Sequence, residues 1–300
     1  MKKIIFVSII LLLSVASTAQ QEPMHSQYTF NSFVLNPAVA GSNDYIPFRF
    51  GIRRQWTGIK DGPMTQVLSM HSSIGQASRM GVGGVIIHDQ YGPLSKSGIR
   101  GAFAFTVNPG SKTKFAFGLA LSCYQLTVDE SNLNIINPND VVINGETESV
   151  IIPDADFGMY VHNERLFAGF SATQLIQYPL NLNNDLRKQI PHFYLLGGYR
   201  FKISENTDLE PSALIKKNGP MPVQLDINAR AIFNKDYWCG LSYRTQDAAV
   251  LMIGMNFNNL SIGYAFDYTL SKLTSINNGT HELVLGFNMK QKSRTSAPIL

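Results

Sequence analysis

The chain has 300 residues and a formal net charge of +4, of which Lys2 and Lys3 supply two units. This small excess, without a basic patch, argues against a nucleic-acid partner. Charged residues make up 15% of the chain, against roughly 25% in ordinary soluble domains, whereas 44% is hydrophobic. The 18 Phe and 12 Tyr add a heavy aromatic content. Because the sequence past residue 19 has no apolar run long enough for a spanning helix, this composition favours a transmembrane β-barrel.

The first residues predict export across the inner membrane. Lys2 and Lys3 form a positive region, residues 4–13 are apolar except for Ser8, and residues 17–19 are small. This is the pattern of a cleaved signal peptide, here residues 1–19. A retained membrane anchor is the alternative, which the shortness of the apolar run disfavours.

Alternation with period two recurs along the rest of the chain and predicts β-strands. Phe115, Phe117, Leu119 and Leu121 alternate with small residues, so that Phe117 faces lipid and Gly118 the lumen. Fourteen strands are predicted, with an uncertainty of two, and an even number suits a single-chain bacterial barrel. They start near Tyr45, Met64, Met80, Ser97, Thr113, Val150, Arg165, Ile190, Thr207, Met221, Asp236, Asp247, Asn259 and Thr280.

The predicted connections alternate in length along the chain, which is typical of short periplasmic turns and longer external loops. A soluble β-sandwich, the alternative all-β fold, has no reason to sort its loops in this way. The short connections are residues 108–112, 162–164, 204–206, 234–235 and 258–259. The long ones are residues 56–63, 88–96, 126–149, 174–189 and 270–279, and a short link near Thr245 is the exception on this side.

The charged residues on the predicted strands share the lumen-facing parity. A charge on the lipid side would cost roughly 2–4 kcal/mol for Arg or Lys at mid-bilayer. The set has mixed signs, so it suits either the selectivity field of an open porin or a paired network that fills the interior, and we favour the network. Its candidate members are Arg49, Arg53, Arg100, Asp226, Arg230, Arg244, Asp267 and Glu282, joined by Asp156 and Arg200. The same parity places Cys123 and Cys239 on the lipid face, unpaired.

Nothing in the sequence predicts a catalytic, cofactor or metal site. The six histidines lack metal-ligand spacing. His88-Asp89 could pair a base with its orienting acid, but it lies at a strand end where polar residues are common. The run Gly81-Val82-Gly83-Gly84 reads as a strand start whose small residues suit a curved wall. We therefore expect a protein that is not an enzyme and that has no cofactor.

The mature chain resembles the PorP/SprF family of type IX secretion proteins of Bacteroidetes over its whole length. Each motif is weak alone, but their order and spacing are specific. The motifs are residues 25–31 (HSQYTFN), 35–42 (LNPAVAGS), 54–58 (RQWTG), 89–93 (DQYGP), 224–228 (QLDIN), 263–268 (GYAFDY) and 279–283 (GTHEL).

This resemblance implies a non-enzymatic component of the type IX secretion and gliding machinery in the cell outer membrane. Such a protein supports the export or surface attachment of a large secreted protein or adhesin. Its expected partners are type IX subunits, either periplasmic ring or translocon proteins, and that secreted client, with outer-membrane lipid around the barrel. The alternative function is a diffusion channel or hydrophobic-solute transporter.

The predicted domains are the signal peptide (1–19), a lead-in segment (20–44), the barrel (45–290) and a C-terminal tail (291–300). Because an even-stranded barrel has both ends on one side, the lead-in segment is expected to begin in the periplasm. It is either a disordered leader or a folded element that plugs the lumen or contacts a periplasmic ring. Its candidate partner-docking residues are Tyr28, Phe30, Asn31, Phe33, Asn36 and Pro37.

Overall fold

The computed structural model describes residues 24–75, 79–107, 112–131, 146–182 and 185–291. No helix within these ranges is long and apolar enough to cross a membrane. Short 3-10 helices span Ser32–Val34, Pro37–Val39 and Lys272–Ile276. The strands are β1 (Tyr45–Arg54), β2 (Met64–Ile74), β3 (Met80–Tyr91), β4 (Leu94–Thr106), β5 (Lys114–Asp129), β6 (Thr147–His162), β7 (Leu166–Thr173), β8 (Pro179–Leu182), β9 (Asp185–Lys188), β10 (His192–Tyr199), β11 (Phe201–Lys202), β12 (Thr207–Asn218), β13 (Gln224–Phe233), β14 (Tyr237–Arg244), β15 (Ala248–Phe257), β16 (Leu260–Thr269) and β17 (Thr280–Lys290).

The strands form a closed antiparallel barrel. Neighbours in the chain pair with each other, β1 pairs with β17 across the closure, and β10 pairs with both β7 and β12. The two-residue β11 continues β10 past Arg200 and pairs with the same neighbour, β12. The wall therefore has fourteen strand positions, and the predicted fold and strand number are confirmed. The hairpin of β8 and β9 lies outside this sheet.

The two faces of the wall differ in polarity because side chains alternate along each strand. In β5, Phe117, Leu119 and Leu121 are exposed on the outside, whereas Ala116 and Ala120 are buried inside. Other strands likewise expose Ile, Leu and Phe side chains outward. Both cysteines are free and lie on this outer surface. So extensive an exposed apolar surface is suited to contact with lipid acyl chains.

The connections define two rims of the barrel. The turn rim carries the tight connections that follow β6, β11, β13 and β15, together with the start of β1 and the end of β17. The loop rim carries the opposite connections, including the β8–β9 hairpin within residues 174–191. The turn predicted at residues 108–112 and most of the loop predicted at 126–149 lie outside the described residues.

One predicted long loop is wrong. Residues 88–96 belong to a tight hairpin in which Tyr91 pairs with Leu94 and only Gly92 and Pro93 connect β3 to β4. Gly92 has a φ of 58°, a conformation that glycine adopts without a steric penalty. The prediction of a long loop did not allow for Gly92 and Pro93 forming the turn by themselves.

Candidate functional site in the barrel lumen

The lead-in segment, described from residue 24, lies inside the barrel. Ser26, Tyr28, Phe33 and Ala38 are each at most 1% exposed, although no strand includes them. The segment starts against the loop-rim ends of β1, β16 and β17 and reaches the turn rim at Tyr45. It therefore crosses the lumen, and the expectation that it begins on the turn-rim side is wrong. That expectation counted strands and did not allow for a chain that passes through the lumen.

Ser26 holds the beginning of the segment in a buried ion network. Its backbone N–H donates to Glu282 at 2.8 Å, and the next N–H, of Gln27, donates to the same carboxylate at 3.0 Å. Arg53 donates to Asp267 at 2.8 Å and to Glu282 at 3.0 Å, and Arg244 donates to Asp267 at 3.2 Å. We call Ser26, Arg53, Asp226, Arg244, Asp247, Asp267 and Glu282 the Ser26 network.

The Ser26 hydroxyl uses its full hydrogen-bonding capacity in this network. It donates to Asp267 at 2.7 Å and accepts from Arg53 at 2.9 Å and from Arg244 at 3.1 Å. A hydroxyl has one proton and two lone pairs, so no polar capacity is left over. Two cations and two anions of the wall are therefore fixed by one residue of the segment. Sequence analysis missed Ser26 as a site residue, and the motif at residues 25–31 was the only signal for it.

Glycines of the wall make room for the rest of the segment. A Cβ at Gly118 would lie 2.3 Å from the Ala38 nitrogen, and one at Gly81 would lie 2.0 Å from the Ala40 oxygen. Gly158 and Gly169 similarly contact Asn36. The glycines thus allow the backbone of the segment to approach the wall closely. The sequence-based interpretation of Gly81–Gly84 considered only the curvature of the wall and did not include this role.

Wall side chains satisfy the backbone carbonyls of the segment where it bends. Arg100 donates to the carbonyls of Phe33 and Val34 at 3.0 and 2.8 Å, and Ser171 donates to that of Leu35 at 2.6 Å. The Asn36 amide donates to wall carbonyls of β6 and β7 at 2.9 and 3.2 Å. Since buried backbone groups are costly when unpaired, these bonds stabilise one conformation of the segment.

Nine of the ten candidate lumen residues lie in three groups along the wall. Five of them belong to the Ser26 network. Arg100 pairs with Asp156 at 3.4 Å. Arg230 and Arg200 both bind Glu210, Arg200 at 2.6 Å, and sequence analysis did not select Glu210 although its strand parity matches. Arg49 has no carboxylate partner among the described residues; its guanidinium lies 5.0 Å from the Phe30 ring centre.

The candidate docking residues fall into a buried set and a partly exposed set. Tyr28, Phe33, Asn36 and Pro37 are buried against the wall and contribute to packing within the chain. Phe30 and Asn31 are partly exposed and border a cavity of about 490 Å³ that extends to the turn rim. We call this cavity the vestibule. It is lined by the segment on one side and by β1, β6, β12 and β13 on others.

His88 and Asp89 do not form a catalytic pair. As adjacent strand residues they point to opposite faces. His88 contacts Ser97 at 2.7 Å, whereas Asp89 is buried in the lumen and accepts a hydrogen bond from Thr65.

Two of the sequence motifs meet at the loop rim. Thr57 and Gly279 are joined by a backbone hydrogen bond of 2.8 Å, and Trp56 donates its N–H to the Thr280 hydroxyl at 3.1 Å. Residues 17–287 match the family model described as type IX secretion system membrane protein PorP/SprF. The chain belongs to the PorP/SprF family. No curated protein matches the chain.

Solved structures similar to this family member are outer-membrane barrels of low sequence identity. The monoaromatic hydrocarbon channel CymD has a TM-score of 0.55 at 10% identity, covering 91% of this chain and 94% of its own. The toluene transporter TbuX of Ralstonia pickettii has a TM-score of 0.53 at 11% identity, covering 86% and 93%. At such identity the likeness establishes the barrel fold alone. Family and fold together place the protein in the outer membrane.

Proposed function

We propose that this protein is a non-enzymatic component of the type IX secretion machinery that supports export or surface attachment of a large secreted protein or adhesin. The observation that carries the proposal is the docked lead-in segment. Wall glycines, the Ser26 network and backbone hydrogen bonds all hold the segment in place. A barrel whose lumen is filled in this way is suited to serve as a rigid platform for other proteins. Its partners would be periplasmic ring or translocon subunits on the turn rim and the client itself.

The second candidate function is a channel for hydrophobic solutes. It is favoured by the fold, because CymD and TbuX bear names that assign them aromatic hydrocarbons or toluene. The polar lumen opposes it. The residues that meet around Ser26 are carboxylates and guanidinium groups, which would have to lose their partners to admit an apolar solute. The platform function therefore accounts for more of the structure.

The test is a deletion of the gene, complemented by the full chain or by a chain lacking residues 21–34. We expect the full chain to restore secretion of the client and the truncated chain to insert as a barrel without restoring it. Secreted proteins are compared by mass spectrometry of the medium and of the cell surface, and heat-modifiability on a gel reports barrel assembly.

A conductance measurement in planar bilayers separates the two candidates. The platform predicts a closed intact chain and an open truncated chain. Growth on an aromatic hydrocarbon that depends on the intact chain, with normal secretion in the deletion strain, would support the channel instead and overturn the platform.

A further inference from the structure

The vestibule combines a concave shape with an excess of positive charge. Five cationic side chains and three carboxylates line it. One of these carboxylates, Glu210, is already bound by Arg200 and Arg230. The mouth lies at the turn rim, where Arg165 and Lys235 occupy connections between strands. A cavity of one dominant sign concentrates ligands of the opposite sign.

Arg49 differs from the other buried arginines of the lumen in the partners of its guanidinium. It is 7% exposed and lines the vestibule, where its guanidinium donates to the Phe48 carbonyl at 2.8 Å and interacts with the Tyr45 side chain. No carboxylate of the described residues lies within ion-pair distance of Arg49. The other buried arginines of the lumen, such as Arg53 and Arg244, each have carboxylate partners. A guanidinium buried this far is stabilised when a carboxylate binds it in a fork.

We infer that the vestibule is a docking site for an acidic polypeptide segment, one of whose carboxylates binds Arg49. This inference rests on the proposed function and gives the chemistry of the partner on the turn-rim side.

The surroundings of Arg49 favour a polypeptide over other anions. Phe30, Tyr160 and Phe167, which are partly exposed, also line the vestibule and offer apolar surface to side chains flanking the carboxylate. Inorganic phosphate would leave this surface unused, and the barrel wall separates the vestibule from lipid headgroups. Aromatic surface beside an arginine is the usual composition of the energetic centre of a protein interface.

The experiment uses the full chain purified in detergent and a fluorescein-labelled peptide of alternating Glu and Leu with an amidated C-terminus. Fluorescence anisotropy measures the affinity for this peptide and for one with Gln in place of Glu. The variants are Arg49→Gln and, as a matched control, Arg54→Gln, which removes an exposed arginine at the other end of the same strand. We expect Arg49→Gln to weaken the Glu peptide about tenfold, as loss of a charge-assisted pair does. Arg54→Gln should bind as the wild type does.

Three outcomes would overturn the inference: equal affinity for the Glu and Gln peptides, no effect of Arg49→Gln, or complete displacement of the peptide by equimolar inorganic phosphate. If Arg49→Gln does not assemble, as heat-modifiability shows, the double variant Arg165→Gln/Lys235→Gln replaces it and must weaken binding for the inference to stand. If the chain does not bind the peptide but secretion still depends on the gene, the docking site is rejected and the proposed function stands. If the chain binds the peptide but the deletion strain secretes normally, the docking site stands and the proposed function is rejected.

Discussion

The Ser26 hydroxyl joins three charged side chains of the wall, so its truncation should affect all three. We expect Ser26→Ala to weaken docking of the lead-in segment by about 1–3 kcal/mol, because Arg53, Arg244 and Asp267 each lose a buried partner. The measurement is the temperature of the heat-modifiable transition, together with the frequency of channel opening in bilayers.

The matched control is Ser42→Ala, near the other end of the same segment. Among the described residues, the Ser42 hydroxyl donates only to the Asn43 side chain, at 3.4 Å. This variant should behave as the wild type in both measurements. Equal transitions for Ser26→Ala and Ser42→Ala would mean that the Ser26 network contributes nothing to docking.

At the scale of elements, the lead-in segment and the wall strands β5 and β6 fit together through glycine. Gly118→Ala should undock the segment, because the new Cβ would lie 2.3 Å from the Ala38 backbone and neither strand nor segment can shift cheaply. We expect open-channel conductance from this variant and a normal yield of barrel.

Gly51→Ala provides the comparison, since it adds the same methyl group to a wall glycine whose nearest neighbour, a Val284 methyl, would be 3.7 Å away. It should remain closed. If both alanine variants stay closed, the segment is docked too loosely for the wall glycines to matter.

Strand number and the inward direction of charge could be predicted from the sequence because lipid imposes a strict alternation on every strand. Parity told us correctly that Arg53, Asp267 and Glu282 face inward. It could not reveal what they bind, since Ser26 is separated from Asp267 by 241 residues and lies in a segment without periodicity. Parity also gave the face of Gly118 but not its neighbour, Ala38.

At the scale of the whole molecule, the path of the lead-in segment places its first described residues at the loop rim. In a Cys123→Ala/Cys239→Ala background, Met24→Cys should therefore react with a membrane-impermeant maleimide added to intact cells. Asn43→Cys, next to the turn rim, should react only after the outer membrane is permeabilised. Labelling of Asn43→Cys alone in intact cells would show that the barrel is oriented the other way.

A chain that runs through its own barrel restricts the order of assembly. The segment is buried at its bends, Asn36 and Pro37, inside a wall that the pairing of β1 with β17 closes, so we expect docking and closure to depend on each other. Closure therefore brings together contacts from the two ends of the sequence, such as Ser26 with Glu282. Contacts of such sequence separation carry a large loop-closure entropy and slow folding. The Ser26 network thus links closure of the wall to docking of the segment: a barrel that closes empty keeps its ion pairs but lacks the hydrogen bonds that Ser26 and Gln27 donate to Asp267 and Glu282.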